Sequence, residues 1–410
     1  MDLFRIATAG SVDDGKSTLI GRLLYETNSL KEDQLQHIEQ KSHSKGLSYR
    51  DFSLATDGLL TEREQGITID VSHIYFKTQK RRFIIADSPG HIEYTRNMVT
   101  GASNANAAII LLDARKGVVE QTRRHLYITQ LLGIQQLIFA INKMDLVDYD
   151  QKVFNQIKSE IEPLLNKPKD QAHYLPISAL KGDNLITPSK TMDWYSGKSL
   201  IEIIETLPLE VNTNALGIMQ VQYVIRPQLE NLHDYRGFAG KIKSGTFKPG
   251  DQITVFPSGQ KTHIKAIERY GEPLEEVLEN DNAAFLLADE VDASRGSVFV
   301  RQSEALLPQK KINATVCWMQ NEQLEAGKKY WLQQGVQTVL TKVDAIHSKV
   351  DLGNGAQLSG QALHLNDIGE TALTLAQPIL AEAYHHNKAL GAFILIDQKT
   401  FNTAGVGFIH

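Results

Sequence analysis

Gly10-Ser11-Val12-Asp13-Asp14-Gly15-Lys16-Ser17 decides how this chain is read, with the apolar run Leu3 to Ala9 before it and Thr18-Leu19-Ile20-Gly21-Arg22-Leu23-Leu24 after it. The order is strand, loop, helix. Two glycines separated by four residues and followed by Lys and Ser form the phosphate-loop pattern, in which successive backbone N–H groups and a helix N-terminus face a di- or triphosphate. Glycine is needed where the backbone closes on the phosphates. Lys16 is then placed to reach the β- and γ-phosphate oxygens, and the Ser17 hydroxyl to ligate Mg²⁺. Gly10 to Thr18 is thus a nucleotide-contacting stretch, and by itself it leaves ATP and GTP equally open.

Composition bounds the rest. A chain of 410 residues exceeds one ordinary core, so two or three domains are expected, and 42% hydrophobic with 22% charged residues is the balance of a soluble globular protein. A net charge of -5 gives no global pull toward nucleic acid or anionic membranes. The single cysteine, Cys317, forms no internal disulfide, fits a reducing compartment and reads as a small buried apolar side chain. Met1-Asp2-Leu3-Phe4-Arg5 runs straight into a strand without a charged-then-apolar leader. No apolar run approaches the length that spans a bilayer. The expectation is a cytoplasmic protein with no membrane partner.

After the loop and its helix, Glu32 to Gly46 reads as a weakly amphipathic helix with His37 and His43 solvated. Asp57 to Ile69 is polar before turning β-like toward Phe76. Beside a phosphate loop, Thr68 in that stretch is placed to sense the γ-phosphate through Mg²⁺ as part of an order–disorder switch. The next strand, Arg82 to Ala86, delivers Asp87-Ser88-Pro89-Gly90-His91 at its C-terminal edge, where an α/β sheet places ligand chemistry. Asp87 is assigned to Mg²⁺, and Gly90 to a backbone N–H that meets the γ-phosphate and can flip when it leaves. His91 is assigned to orienting the attacking water.

Ala107 to Leu112 is a continuous apolar run, as in a strand buried on both faces. Leu137 to Ile141 then delivers Asn142-Lys143-Met144-Asp145, which chooses the base. The Asp145 carboxylate can accept from guanine N1–H and the exocyclic amine together, a pair of donors that adenine lacks, and the wrong base leaves it unpaired. Asn142 ties the base loop to the phosphate loop, and the Lys143 stem covers the purine face. The strand Tyr174 to Ile177 ends in Ser178-Ala179-Leu180, whose backbone reads guanine O6. Gly197-Lys198-Ser199 is no second phosphate loop, because Met192 stands where a glycine is required; it reads as a turn before a helix from Leu200 to Leu207.

From about Val211 the pattern changes to short β-runs between Gly, Pro and Asp turns, including Met219 to Arg226, Arg236 to Ser244 and Gln252 to Phe256. Asn313 to Met319, Lys329 to Gln333, Gln337 to Ile346, Thr371 to Ala376 and Gly391 to Asp397 form a further set. The expected architecture is an α/β phosphate-loop GTPase domain with a mostly parallel sheet over residues 1–209, followed by two all-β barrel domains over 210–305 and 306–410. Adjacent His385 and His386 are expected on opposite faces of an extended segment and so not to share a metal.

The five nucleotide elements in this order resemble the GTPase superfamily, and a G domain with two barrels is similar to the elongation-factor-Tu-like translational GTPases. Gly10 to Tyr25, Glu62 to Val71 and His91 to Met98 resemble a particular branch, the GTPase subunits of bacterial sulfate adenylyltransferase. Elongation factors usually carry His where Ser11 and Asp14 stand. The likeness continues through Met192 to Gly197, Arg236 to Gly240 and Ala404 to Gly407.

The resemblance implies a heteromer in which a partner, the catalytic adenylyltransferase subunit, joins ATP and sulfate to give adenosine 5'-phosphosulfate and pyrophosphate, driven by GTP hydrolysis on this chain. It also implies Val12 and Ile67 as an apolar gate beside His91, and Asp13 as a monovalent-cation ligand. Some such proteins are fused to a kinase for the product; with no second phosphate loop, no adenylylsulfate kinase activity is expected here. A translation factor carrying aminoacyl-tRNA shares every nucleotide-site residue and stays open as the alternative, although the balanced charge argues against a nucleic-acid carrier.

Overall fold

The computed structural model describes residues 2–44, 46–47, 49–55, 71–88, 95–166, 171–209, 216–227, 235–301, 306–351, 353 and 355–410. They form two compact units, Met1–Leu209 with Asp351–Ala356, and Glu210–Val350 with Gln357–His410.

The first unit is built on strands β1 (Leu3–Ala9), β2 (Ser72–Lys77), β3 (Arg82–Asp87), β4 (Ala107–Asp113), β5 (Gln136–Asn142) and β6 (Ala172–Pro176). Their order in the sheet is β2-β3-β1-β4-β5-β6. Every neighbour pair is parallel except β2 with β3, so the sheet is mixed and mostly parallel, as expected. All seven residues of β4 are buried, which is what helices on both faces of a parallel sheet impose. The helices of this unit are α1 (Lys16–Glu26), α2 (Glu32–Ser44), α3 (Thr95–Ala102), α4 (Glu120–Leu131), α5 (Gln151–Ile161) and α6 (Leu200–Thr206). One face of the sheet closes on α1 and α6 through Phe4, Ile6, Leu19, Leu23, Ile109 and Ile204. Ser199 starts α6 as a capping box with Glu202, which gives Gly197-Lys198-Ser199 a purely structural use.

Register aligns the strand ends that carry chemistry. Thr8 pairs with Asp87, and Asp113 pairs with Asn142. The loop after β1 therefore lies beside the C-terminal ends of β3, β4 and β5, the side of an open α/β sheet where ligands bind. Gly21 sets the approach of the following segment: a Cβ there would stand 1.9 Å from the Phe52 carbonyl oxygen.

The second unit contains two antiparallel barrels. The first runs Gln252–Phe256, Gln260–Arg269, Asn282–Leu287, Gly237–Ser244, Ile218–Ile225, Val298–Arg301 and back to its start, closing on itself. The second closes likewise through Lys329–Gln334, Ala392–Ile396, Thr403–Ile409, Pro308–Trp318, Ile368–Leu380 and Gln337–Val350. Closure removes the free strand edges that would otherwise invite pairing with other chains. Ile218, Val298 and Val300 of the first barrel pack with Leu380 and Leu390 of the second.

His385 and His386 differ from expectation. They sit in a turn rather than an extended strand, and their ring centroids are 4.0 Å apart. Among the described residues no helix is long and apolar enough to cross a membrane.

Candidate functional site

Gly15 gives the loop after β1 its shape. It has φ 94, the left-handed region that side chains resist, and a Cβ there would come within 2.5 Å of Asn142 Nδ2. Asp13 is also left-handed, with φ 66. Inside the loop the Ser11 backbone N–H donates to Asp14 Oδ2 at 2.6 Å, and the Asp14 N–H donates to the Ser11 carbonyl at 3.2 Å. Ser11 and Asp14 thus brace one another within the loop. Burial raises the Asp14 carboxyl above its ordinary range, against the Ser11 N–H and the Lys16 charge, which lower it.

Lys16 is 8% exposed, and its ammonium donates to the Gly10 carbonyl at 2.8 Å and the Ser11 carbonyl at 3.5 Å. Burial lowers its pKa, while Asp87, Asp14 and Asp13 work to keep it protonated. A buried ammonium held on loop carbonyls is a cation waiting for an anion. No side chain caps the start of α1, so its first N–H groups add to the same field. Ser17 begins that helix one residue on. Asp87 is buried, and its Oδ1 accepts from Thr8 Oγ1 at 2.9 Å. Next to it, Ser88 is fully buried with its Oγ unpartnered among the described residues, as is the Oγ of Ser11.

The base side is held by Asn142, 2% exposed. Its Nδ2 donates to the Asp14 carbonyl at 2.8 Å and its Oδ1 accepts the Ala179 N–H at 2.9 Å. One amide therefore joins the phosphate loop to the segment after β6. The Ala179 N–H is engaged there, whereas the Leu180 N–H has no partner among the described residues. Lys143 is left-handed, with φ 63, and turns the chain into the short helical turn Met144–Val147 that carries half-buried Asp145. Met144 is buried, and its N–H meets the Ile177 carbonyl at 3.1 Å.

Asp113 is a site residue that sequence reasoning passed over. It is buried at the end of β4 and accepts from Lys143 Nζ at 3.0 Å and from Arg115 Nη2 at 2.6 Å. Burial favours its protonated form, but the Arg115 and Lys143 hydrogen bonds outweigh that and hold it well below the usual carboxylate range. Lys143 Nζ also bonds the Asp13 carbonyl. The rule applied to Asp87, a carboxylate at a strand's C-terminal edge, identifies Asp113 equally well. His125, buried on α4, was also passed over; burial, with Lys16 and Arg124 nearby, pushes its pKa down to about 3, so it is neutral.

Thr68, Ile67, Pro89, Gly90 and His91 lie outside the described residues. Those brought together are Gly10 to Thr18, Asp87, Ser88, Asn142 to Asp145 and Ser178 to Leu180. Among the described residues no cluster of three or more His, Cys, Asp or Glu side chains could hold a metal unaided.

A family model described as the elongation factor Tu GTP binding domain matches residues 1–218. Models for elongation factor Tu domain 2 and for a GTP-eEF1A C-terminal domain-like unit match 239–300 and 311–410. The chain is 43% identical over 414 residues to sulfate adenylyltransferase subunit 1 of Bacteroides fragilis, covering 100% of this chain and 86% of that protein. It is 45% identical over 414 residues to the protein of the same name in Aliarcobacter butzleri, covering 100% and 87%. To the bifunctional enzyme CysN/CysC of Mycobacterium tuberculosis it is 44% identical over 411 residues, covering 99% of this chain and 67% of that protein.

Proposed function

The chain belongs to the sulfate adenylyltransferase subunit 1 family, with an elongation-factor-Tu GTP-binding domain, and from that premise we propose that it is the GTP-hydrolysing subunit of a heteromeric ATP sulfurylase. On this reading a catalytic adenylyltransferase subunit joins ATP and sulfate to give adenosine 5'-phosphosulfate and pyrophosphate, and GTP hydrolysis here drives that uphill step. The observation that carries it is likeness along the full chain, barrels included, to proteins of that name. The nucleotide site alone supports only a GTPase, since a tRNA-carrying factor would need the same residues.

GTP fits the residues present. Lys16 and the first N–H groups of α1 hold the phosphates, with the backbone drawn close by Gly10 and Gly15. Asp145 accepts from the guanine N1–H and amine, the Ser178 to Leu180 backbone offers N–H to O6, and Lys143 lies across the base with its ammonium fixed by Asp113 and the Asp13 carbonyl. Ser17, Asp87 and Thr68 would hold Mg²⁺, which when bound neutralises charge on the phosphate oxygens. His91 orients water for attack, and Thr68 and Gly90 respond to the γ-phosphate, so that hydrolysis changes what the surrounding segments present to the partner. A monovalent cation beside Asp13 completes the proposal.

The test mixes the purified chain with the catalytic subunit, ATP, sulfate and Mg²⁺, with and without GTP, and measures adenosine 5'-phosphosulfate. GTP should raise its yield and be consumed in step with it. Equal yield with and without GTP overturns the coupling.

A further inference from the structure

Arg22 lies on α1, one turn beyond the phosphate loop, yet its guanidinium faces the other end of the site. Nη1 donates to the Leu180 carbonyl at 3.0 Å. Nε and Nη2 meet Glu26 Oε1 at 2.8 and 2.7 Å, which fixes the plane of the fork. The same group lies over the rings of Phe52 and Tyr25, 5.3 and 6.0 Å from their centroids. Gly182 makes room for it: with φ 88 and no side chain, it leaves open a position where a Cβ would be 2.6 Å from Nη2. Three elements thus converge on one cation.

We propose that Arg22 is a specificity-positioning residue, which holds the Leu180 backbone so that the Ser178 to Leu180 loop presents its N–H donors to guanine O6. The inference rests on the guanine-binding reading above. Leu180 is gripped from its carbonyl side while its own N–H has no partner among the described residues, and Ala179 is gripped by Asn142. Between them, Asn142 and Arg22 hold this short loop at its middle residue and at its last carbonyl. A loop pinned on both sides of its free donor keeps that donor in place before the base arrives, and such preorganisation is what makes a hydrogen bond discriminate. The stack on Phe52 also ties the guanine loop to the turn Phe52–Ala55, which directly precedes the stretch carrying Thr68.

The test compares affinities of GTP, 6-thio-GTP and ITP for the full chain and for Arg22→Met and Arg22→Lys, by competition against a fluorescent GDP. 6-Thio-GTP changes the O6 acceptor and keeps the exocyclic amine, whereas ITP keeps O6 and lacks the amine that Asp145 reads. Arg22→Met keeps the stem against Phe52 but loses every donor. It should narrow the preference for GTP over 6-thio-GTP about tenfold or more, the worth of one charge-assisted hydrogen bond, and leave the preference for GTP over ITP unchanged. Arg22→Lys, which keeps a cationic donor group, should restore most of the first ratio. If both ratios fall together, or neither moves, Arg22 is only a structural brace and the inference fails. If the unmodified chain shows no preference for GTP over ITP, the guanine reading itself fails. Should Arg22→Met not fold, Arg22→Gln takes its place, and the same two ratios decide in the same way.

Discussion

Replacing Asn142 by Ala is the sharpest test of the site's construction, because one buried amide holds two loops. The substitution removes the donor to the Asp14 carbonyl and the acceptor for the Ala179 N–H at a position 2% exposed. Each buried backbone group left unpaired costs about 1–3 kcal/mol, so a loss of about 3 kcal/mol is expected once some water enters the gap. That is a large fraction of the ~5–15 kcal/mol that holds a domain together. Urea unfolding of the nucleotide-free chain, followed by far-UV circular dichroism, measures it. GDP affinity should fall about tenfold to a hundredfold as the loops lose their common anchor. Gly15 supplies an internal control. A Cβ there meets Asn142 Nδ2 at 2.5 Å and must also sit at φ 94, so Gly15→Ala suffers a clash and a backbone penalty together. In the Asn142→Ala background only the backbone penalty, about 1–2 kcal/mol, remains. The double variant should therefore be less destabilised than the sum of the singles by about 1 kcal/mol or more. Strict additivity, or an Asn142→Ala chain within about 1 kcal/mol of the unmodified one, would refute this account of the joint.

Three further outcomes are expected. His91→Ala should slow GTP hydrolysis about a hundredfold or more with GTP affinity nearly intact, and a variant that binds poorly but hydrolyses normally when saturated would contradict the role given to His91. Asp145→Asn should move preference from guanine toward xanthine nucleotides, because the amide complements the altered base edge; unchanged GTP affinity would refute base reading by Asp145. His125 has a folded pKa of about 3 against an ordinary 6.5, so the unfolded chain binds its proton first as pH falls. Its contribution is fully present above the unfolded value and should shrink by about 2 kcal/mol between about pH 7 and about pH 5. Unfolding midpoints across that range should slope less in His125→Leu, and equal slopes would count against a neutral buried imidazole.

The first unit was legible because its signals are local: a continuous apolar run makes a strand buried on both faces, and a polar residue at the end of such a run arrives at the ligand side of the sheet. The barrels were less so, and the strands left unread share a cause. Gln260–Arg269 begins with alternating burial at Thr262 and Ile264, then shifts register before Ala266 and buries Ile267, breaking the two-residue period. Val298, Phe299 and Val300 are all buried, since Phe299 fills its own barrel while its neighbours pack against the other, so no alternation exists to be seen. Thr403–Ile409 carries Gly405 and Gly407, which read as breakers; at Gly407 a Cβ would be 2.1 Å from the Phe393 ring, so glycine there is a demand of packing. The site divides along the same line. Lys16, Asp145 and Asn142 announce themselves by spacing, whereas Asp113 needed a rule applied a second time. Arg22 had no rule at all: its partner lies 158 residues away and is a backbone carbonyl, which has no residue identity to read. Motif spacing records groups that touch the ligand because the ligand fixes their geometry. Groups that hold those groups are fixed only by the fold, and for this site they appear only when strand register brings α1 and the end of β6 together.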